Sequence, residues 1–283
     1  MSFMPNGPSL DEAARGEDVF VPIPMPEQAP AREGHVSFGT GRLWYWDTGG
    51  AGEPVVLMHA YSASGTVWGY QQPVLAAAGF RVIGYSRRGH RNSDAGSAAA
   101  PATSVEDLHL LLDHLGVSDV HLVGTAAGSM SAAGYALSHP ERVRTLSLFN
   151  SLITVGDADF MARCNALRPA EWSSLPLSFW ELGPSYRAAD PAGTAAWEAQ
   201  ASGSTARQGI GIAVTAAGLA QLRVPILLAT GDGDLLMPPV MLRELASKIP
   251  HAESTIIEES GHSAFWEQPQ TFNESLLDFI RRP

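Results

Sequence analysis

The sequence predicts an α/β fold in which a largely parallel sheet is wound on both faces by helices, and three observations predict it. Short apolar runs recur at 55–58, 82–85, 120–123, 146–149, 226–229 and 254–257, each the length of a buried strand. Helical patterns fall between them, so consecutive strands are joined by right-handed crossovers. At 283 residues the chain has room for one such domain with an inserted lid, or for two small domains.

Residues 1–34 carry acidic groups and prolines but no apolar h-region, which argues against a secretory signal. They are expected to form an extended arm that packs along the domain or reaches a neighbouring subunit, which would make a homodimer. The first part of the core is expected over 35–150. Residues 36–38 and 43–47 alternate apolar and polar around Gly39 and Gly41, a pattern for a leading antiparallel hairpin. The clearest helix opens on Ser104 and Asp107, read as a capping box, and places Leu108, Leu111, Leu112 and Leu115 on one stripe before Gly116 ends it. From 151 to 222 the alternation lapses. Trp172, Phe179, Trp180, Tyr186 and Trp197 stand there among Pro, Gly and Ala, which suggests an inserted helical cap. The core resumes over 223–283 and closes with Phe272, Leu276, Leu277 and Ile280 at helical spacing after Pro269.

A formal charge of −11 with Lys248 as the only lysine argues against nucleic acid, which needs a clustered basic face. No apolar run reaches the roughly 18 residues of a membrane span. The single cysteine, Cys164, rules out an intrachain disulfide and any multi-cysteine zinc site. A cytoplasmic location and a small-molecule partner are the expectations, with no metal or organic cofactor implied.

The most informative segment is Gly124, Thr125, Ala126, Ala127, Gly128. It has the form G-x-S-x-G, a sharp strand-to-helix corner that lifts a nucleophilic serine, except that alanine occupies the serine position. An apolar strand precedes it, and an Ala-rich helical run at 129–138 follows. Four further segments accompany it: 55–61 followed by Trp68; 85–94; Gly231 to Asp234 ahead of Met237, Pro238 and Pro239; and Gly261, His262 through Trp266. On these residues the chain resembles the α/β-hydrolase superfamily from about Gly49 to its C-terminus, nearest to the esterase, lactonase and cofactor-free haloperoxidase-like branch.

The resemblance implies a mostly parallel eight-stranded sheet flanked by helices, with the cap over a pocket lined by Tyr61, Ala126, Ala127, His262 and Trp266. It places Ala126 at the nucleophile position, Asp234 as the triad acid with Asp232 as fallback, and His262 as the base. The amides of Tyr61 and Ala127 become the oxyanion donors, each typically worth about 3 kcal/mol. Trp68, Trp180 and Trp266 are candidate substrate-stacking residues, with core packing as the alternative. Arg87 and Arg88 are expected to be structural salt-bridging groups, with recognition of a substrate carboxylate as the other reading.

Three accounts of Ala126 follow. The first is a serine hydrolase acting on an ester, lactone or related acyl bond, carrying an engineered serine-to-alanine change that disables it. In the second, alanine is native and His262 works as a general base on water or on a substrate proton, giving a hydrolase, lyase, isomerase or cofactor-free oxygenase. The third is a non-catalytic binding protein. A displaced nucleophile at Thr125, Ser129 or Ser62 is disfavoured, because neither elbow neighbour occupies the exposed corner and Ser62 lies in the oxyanion loop.

Overall fold

The computed structural model describes residues 22–39, 41–99, 102–151, 157–201, 203–206 and 208–282; most of the expected arm, residues 1–21, lies outside them. Eight strands follow in chain order: β1 (Arg32–Phe38), β2 (Gly41–Asp47), β3 (Pro54–Met58), β4 (Arg81–Tyr85), β5 (Val120–Thr125), β6 (Val143–Phe149), β7 (Ile226–Gly231) and β8 (Ala252–Ile257). They form one sheet in the order β1-β2-β4-β3-β5-β6-β7-β8. β1 pairs with β2 and β2 with β4 in antiparallel register, and every later pairing is parallel. The expected hairpin is present, and β1 begins at Arg32, further back than the alternation reached, because its first residues sit at the exposed sheet edge.

Strands β5 and β7 are buried along their whole length, which is why they read as continuous apolar runs. Helices cover both faces and give two cores. One is built on Val56, Met58, Leu122, Leu146 and Leu228, the other on Val55, Leu57, Val123, Phe149 and Leu227. Successive residues of a strand therefore serve opposite sides of the sheet.

The capping box of helix Ser104–His114 lies one residue earlier than its sequence suggested. Thr103 accepts from the Glu106 amide at 3.2 Å while Glu106 accepts from the Thr103 amide at 2.7 Å. The reason is tertiary: the Ser104 amide goes to the Gly209 carbonyl, and Asp107 is buried against Arg88.

Between β6 and β7 the chain forms the short helices Ala158–Ala166, Leu177–Glu181, Pro184–Ala189, Pro191–Gln200 and Ala216–Leu219. The described arm residues lie along this same domain. The Ile23 carbonyl accepts from Tyr70, and Ala29 exchanges two hydrogen bonds with the Gln72 side chain.

From β3 the chain crosses to β4 on one side and then to β5 on the other, so the winding reverses between β3 and β5. The carboxyl ends of these two strands carry 59–61 and Ala126. A crevice at such a switch point is where open α/β sheets bind ligands.

Candidate active site

Ala126 stands between β5 and helix Ala127–Ser138 with φ +49° and ψ −116°. Sterics make this backbone costly for any residue with a Cβ. The flanking glycines are what allow it. A Cβ on Gly124 would lie 2.5 Å from the Ser129 nitrogen, and one on Gly128 would lie 2.0 Å from the Met58 carbonyl oxygen. The start of the helix is thus pressed against the end of β3. The corner is pinned from below by the Ala126 amide on the Phe149 carbonyl, and by the Ser129 hydroxyl on the carbonyls of Gly124 and Phe149.

The three alternative hydroxyls are placed elsewhere. Ser129 is fully buried as that pin, Thr125 is fully buried in β5, and Ser62 donates to Glu181 at 2.8 Å.

Asp234 follows β7 and is buried. Its Oδ1 accepts from the amides of Leu236 and Met237 at 2.7 and 2.9 Å, and its Oδ2 from Thr230 Oγ1 at 2.7 Å and Asn150 Nδ2 at 3.0 Å. His262 Nδ1 sits 2.8 Å from Oδ2 and 3.0 Å from Oδ1. Asp232 instead accepts from the Ser260 amide and braces the loop, so the acid beside the histidine is Asp234. Burial opposes ionisation of Asp234, but the His262 charge and hydrogen bond, Asn150 and the Met237 amide hold its carboxyl well below the ordinary range. Burial likewise disfavours the His262 cation, yet the charge and hydrogen bond of Asp234, with Glu181 and Glu267 nearby, raise its pKa overall.

Three side chains that sequence reasoning missed complete the surroundings. Asn150 lies just past β6 with φ +51°; a polar residue directly after an apolar run was its only signal. Glu267 is buried and accepts from the amides of Gly261 at 2.9 Å, Ser263 at 3.2 Å and Gly183 at 2.6 Å. Burial still pushes its carboxyl up to about 8 against those three bonds. Glu181, buried in the segment between β6 and β7, joins Ser62 to Ser263, the latter at 3.4 Å.

The expected aromatic residues divide. Trp68 is 1% exposed and packs on Phe265; Trp266 is 4% exposed, donates to the Tyr186 hydroxyl at 2.8 Å and meets Tyr70 edge-on. Both are buried in the second core, as the packing alternative expects. Trp180 is half-buried and stacks on Trp172 at 5.0 Å. Tyr61 is exposed on the loop after β3, its ring edge-on to His90.

The adjacent arginines also part company. Arg88 makes a bidentate pair with Asp107 at 2.7 and 2.6 Å and lies over the Phe38 ring, the structural role expected of it. Arg87 is equally buried and meets no carboxylate among the described residues; its guanidinium reaches the His59 carbonyl at 3.3 Å. His59 takes the Arg87 amide on Nε2, donates from Nδ1 to the Ala60 carbonyl, and is kept neutral by burial and by the Arg87 charge.

Among the described residues no cluster of three or more His, Cys, Asp or Glu could hold a metal ion, and no helix is long and apolar enough to cross a membrane.

Comparison with known proteins agrees with this architecture. A protein from Azorhizobium caulinodans bearing the name "Putative carbamate hydrolase RutD" is 29% identical over 259 residues, covering 83% of this chain and 94% of its own. Among solved structures, a thermophilic esterase from Thermogutta terrifontis superposes with a TM-score of 0.73 at 22% identity, covering 89% of this chain and 98% of its own. An enol-lactonase from Burkholderia xenovorans LB400 gives 0.71 at 21% identity, covering 88% of this chain and all of its own. The profile of the alpha/beta hydrolase family matches residues 55–275, and this chain belongs to that family.

Proposed function

We propose that this chain is an acyl hydrolase of the Ser-His-Asp kind, acting on an ester, lactone or related acyl bond of a small molecule, with Ala126 standing where its nucleophilic serine belongs. The observation that carries the reading is the backbone of Ala126. Holding a residue with a Cβ at φ +49° costs about 1–3 kcal/mol. A corner that presents a hydroxyl to a base has use for that strain. A protein using His262 on a free water, or one that only binds a ligand, has none, and glycine would relieve it.

With serine at position 126, Asp234 fixes the His262 tautomer through Nδ1–H, and His262 takes the hydroxyl proton on Nε2. The acyl oxygen then gathers charge between the amides of Tyr61 and Ala127, fixed donors that need no reorganisation. The close packing of Gly128 on the carbonyl end of β3 supports this pairing, because it sets the helix start beside the loop that carries Tyr61. Residues 151–222 act as the cap, fastened to the site through Glu181 and Gly183. As it stands the chain binds and polarises an acyl group but forms no acyl-enzyme. By comparison, loss of the subtilisin nucleophile costs about a millionfold in turnover.

The test compares this protein with Ala126→Ser for fluorophosphonate labelling and p-nitrophenyl acetate hydrolysis, with His262→Gln as control. Labelling and burst-phase turnover that need both serine and His262 are the expected result. If serine restores neither, the corner is no nucleophile site, and the histidine-base or binding reading replaces this one.

A further inference from the structure

Beside the loop that carries Tyr61 lies a cavity of about 330 Å³, walled in part by Tyr61, Arg87, Arg88, His90, Ser204 and Gln208. Its two arginines make an internal comparison. Both are more than nine-tenths buried, and a guanidinium stays charged wherever it sits, so each carries a heavy desolvation cost. Arg88 offsets that cost with the two short bonds to Asp107. Arg87 has one 3.3 Å bond to a carbonyl, its Nε has no partner, and the titratable groups facing it are the neutral phenols of Tyr85 and Tyr61 rather than a carboxylate. A second group on the wall is also left over. Gln208 spends its amide hydrogens on Asp107 and the Ala102 carbonyl, which fixes its orientation and leaves Oε1 buried without a donor.

We propose that this cavity is an anion subsite in which Arg87 binds a free carboxylate on the substrate, with Gln208 Oε1 accepting from a donor group beside it. A planar monoanion matches one guanidinium fork. A phosphate dianion would bring a second charge that this wall does not answer, and the net charge of the chain disfavours it further. Because Tyr61 both walls the cavity and is the assigned oxyanion donor, the carboxylate and the scissile acyl group belong to one molecule. That last step rests on the acyl-hydrolase reading, and it narrows the substrate to an otherwise small apolar compound with one anionic end.

The probes are monomethyl glutarate, an anionic half-ester, and dimethyl glutarate, its neutral counterpart. Their binding to the protein as it exists, with Ala126 in place and no turnover, is measured by titration calorimetry at low chloride. The half-ester is expected to bind at least tenfold more tightly, and Arg87→Met is expected to erase that preference while leaving diester binding unchanged. Arg87→Met should also keep or raise the melting temperature, since it removes an unpaired buried charge; a purely structural arginine would lower it. Equal affinities in the parent protein, a preference that survives Arg87→Met, or displacement by inorganic phosphate as effective as by acetate each overturn the proposal. If Arg87→Met does not fold, the parent comparison and the phosphate competition still decide. Hydrolysis of both probes by Ala126→Ser with no preference would sink the carboxylate subsite alone. Selective half-ester binding without hydrolysis by Ala126→Ser would sink the acyl-hydrolase reading alone.

Discussion

Glu267 brackets His262: one carboxylate oxygen accepts from the amides of Gly261 and Ser263, the residues on either side of the histidine. The other oxygen holds the Gly183 amide at 2.6 Å. The loop that presents His262 is thus shaped by a buried acid that never touches the imidazole through any of these bonds.

Replacing Glu267 with glutamine should therefore be costly although the side chains are nearly the same shape. Whichever way the amide is turned, its NH₂ faces backbone donors, and a buried unsatisfied donor costs about 1–3 kcal/mol. Urea titration of Glu267→Gln above pH 8, where the parent carboxyl is ionised, should show a loss of that order, and in the Ala126→Ser background kcat should fall more than KM rises.

The same carboxyl gives a signature in pH. Its folded pKa, about 8, lies above the ordinary 4.5, so between those values the folded state binds more protons than the unfolded one. Stability from this group therefore falls as pH rises from about 4.5 to about 8. Melting temperatures taken across that range should decline for the parent protein and flatten for Glu267→Gln. A parent profile that rises instead contradicts the assignment.

Asp234 and His262 contribute with the opposite and the same sign respectively. The Asp234 pKa is depressed, so its contribution is present above the ordinary 3.8 and is lost as pH falls through the folded value. The His262 pKa is raised, so its contribution is full below the ordinary 6.5 and is lost as pH rises through the folded value. The charge and hydrogen bond of Asp234 favour the cation against the cost of burial. Relative to Asp234→Asn, the parent should be most stabilised between about pH 4 and pH 6.5, the ordinary values of the two groups, and chemical denaturation at several pH values checks this.

Ala126→Gly should stabilise the protein by about 1 kcal/mol, because relief of roughly 1–3 kcal/mol of backbone strain outweighs the extra chain entropy that glycine loses. Ala126→Ser should leave the melting temperature almost where it is. A glycine variant less stable than the parent would mean that the corner is not strained.

Trp266→Phe should lower stability by about 1–3 kcal/mol, since the Tyr186 hydroxyl loses its buried donor. Measured in the Ala126→Ser background, it should leave KM unchanged. A rise in KM without loss of stability would place Trp266 on the pocket wall.

The sheet was legible because parallel strands write themselves as short apolar runs: six strands appear within a few residues of those runs, and the leading hairpin where the alternation lies. The corner at Ala126 and the meeting of Asp234 with His262 were legible because each sits on a local motif. What could not be read depends on partners distant in sequence. Arg87 and Arg88 are neighbours of one chemical type, and only the approach of Asp107, 19 residues past Arg88, separates them. Trp68 and Trp266 stand next to site motifs in sequence, yet the sheet turns both rings into the core. Glu181 and Glu267 belong to no local motif, and folding buries both.

The bond from Gly183 to Glu267 joins the segment between β6 and β7 to the loop that carries His262, and the backbones meet so closely there that a Cβ on Gly261 would lie 2.4 Å from the Gly183 nitrogen. The two segments are therefore one mechanical unit. Separating them would strip the Glu267 carboxyl of a donor and loosen the loop that holds His262 against Asp234, so whatever disturbs one segment is felt by the other.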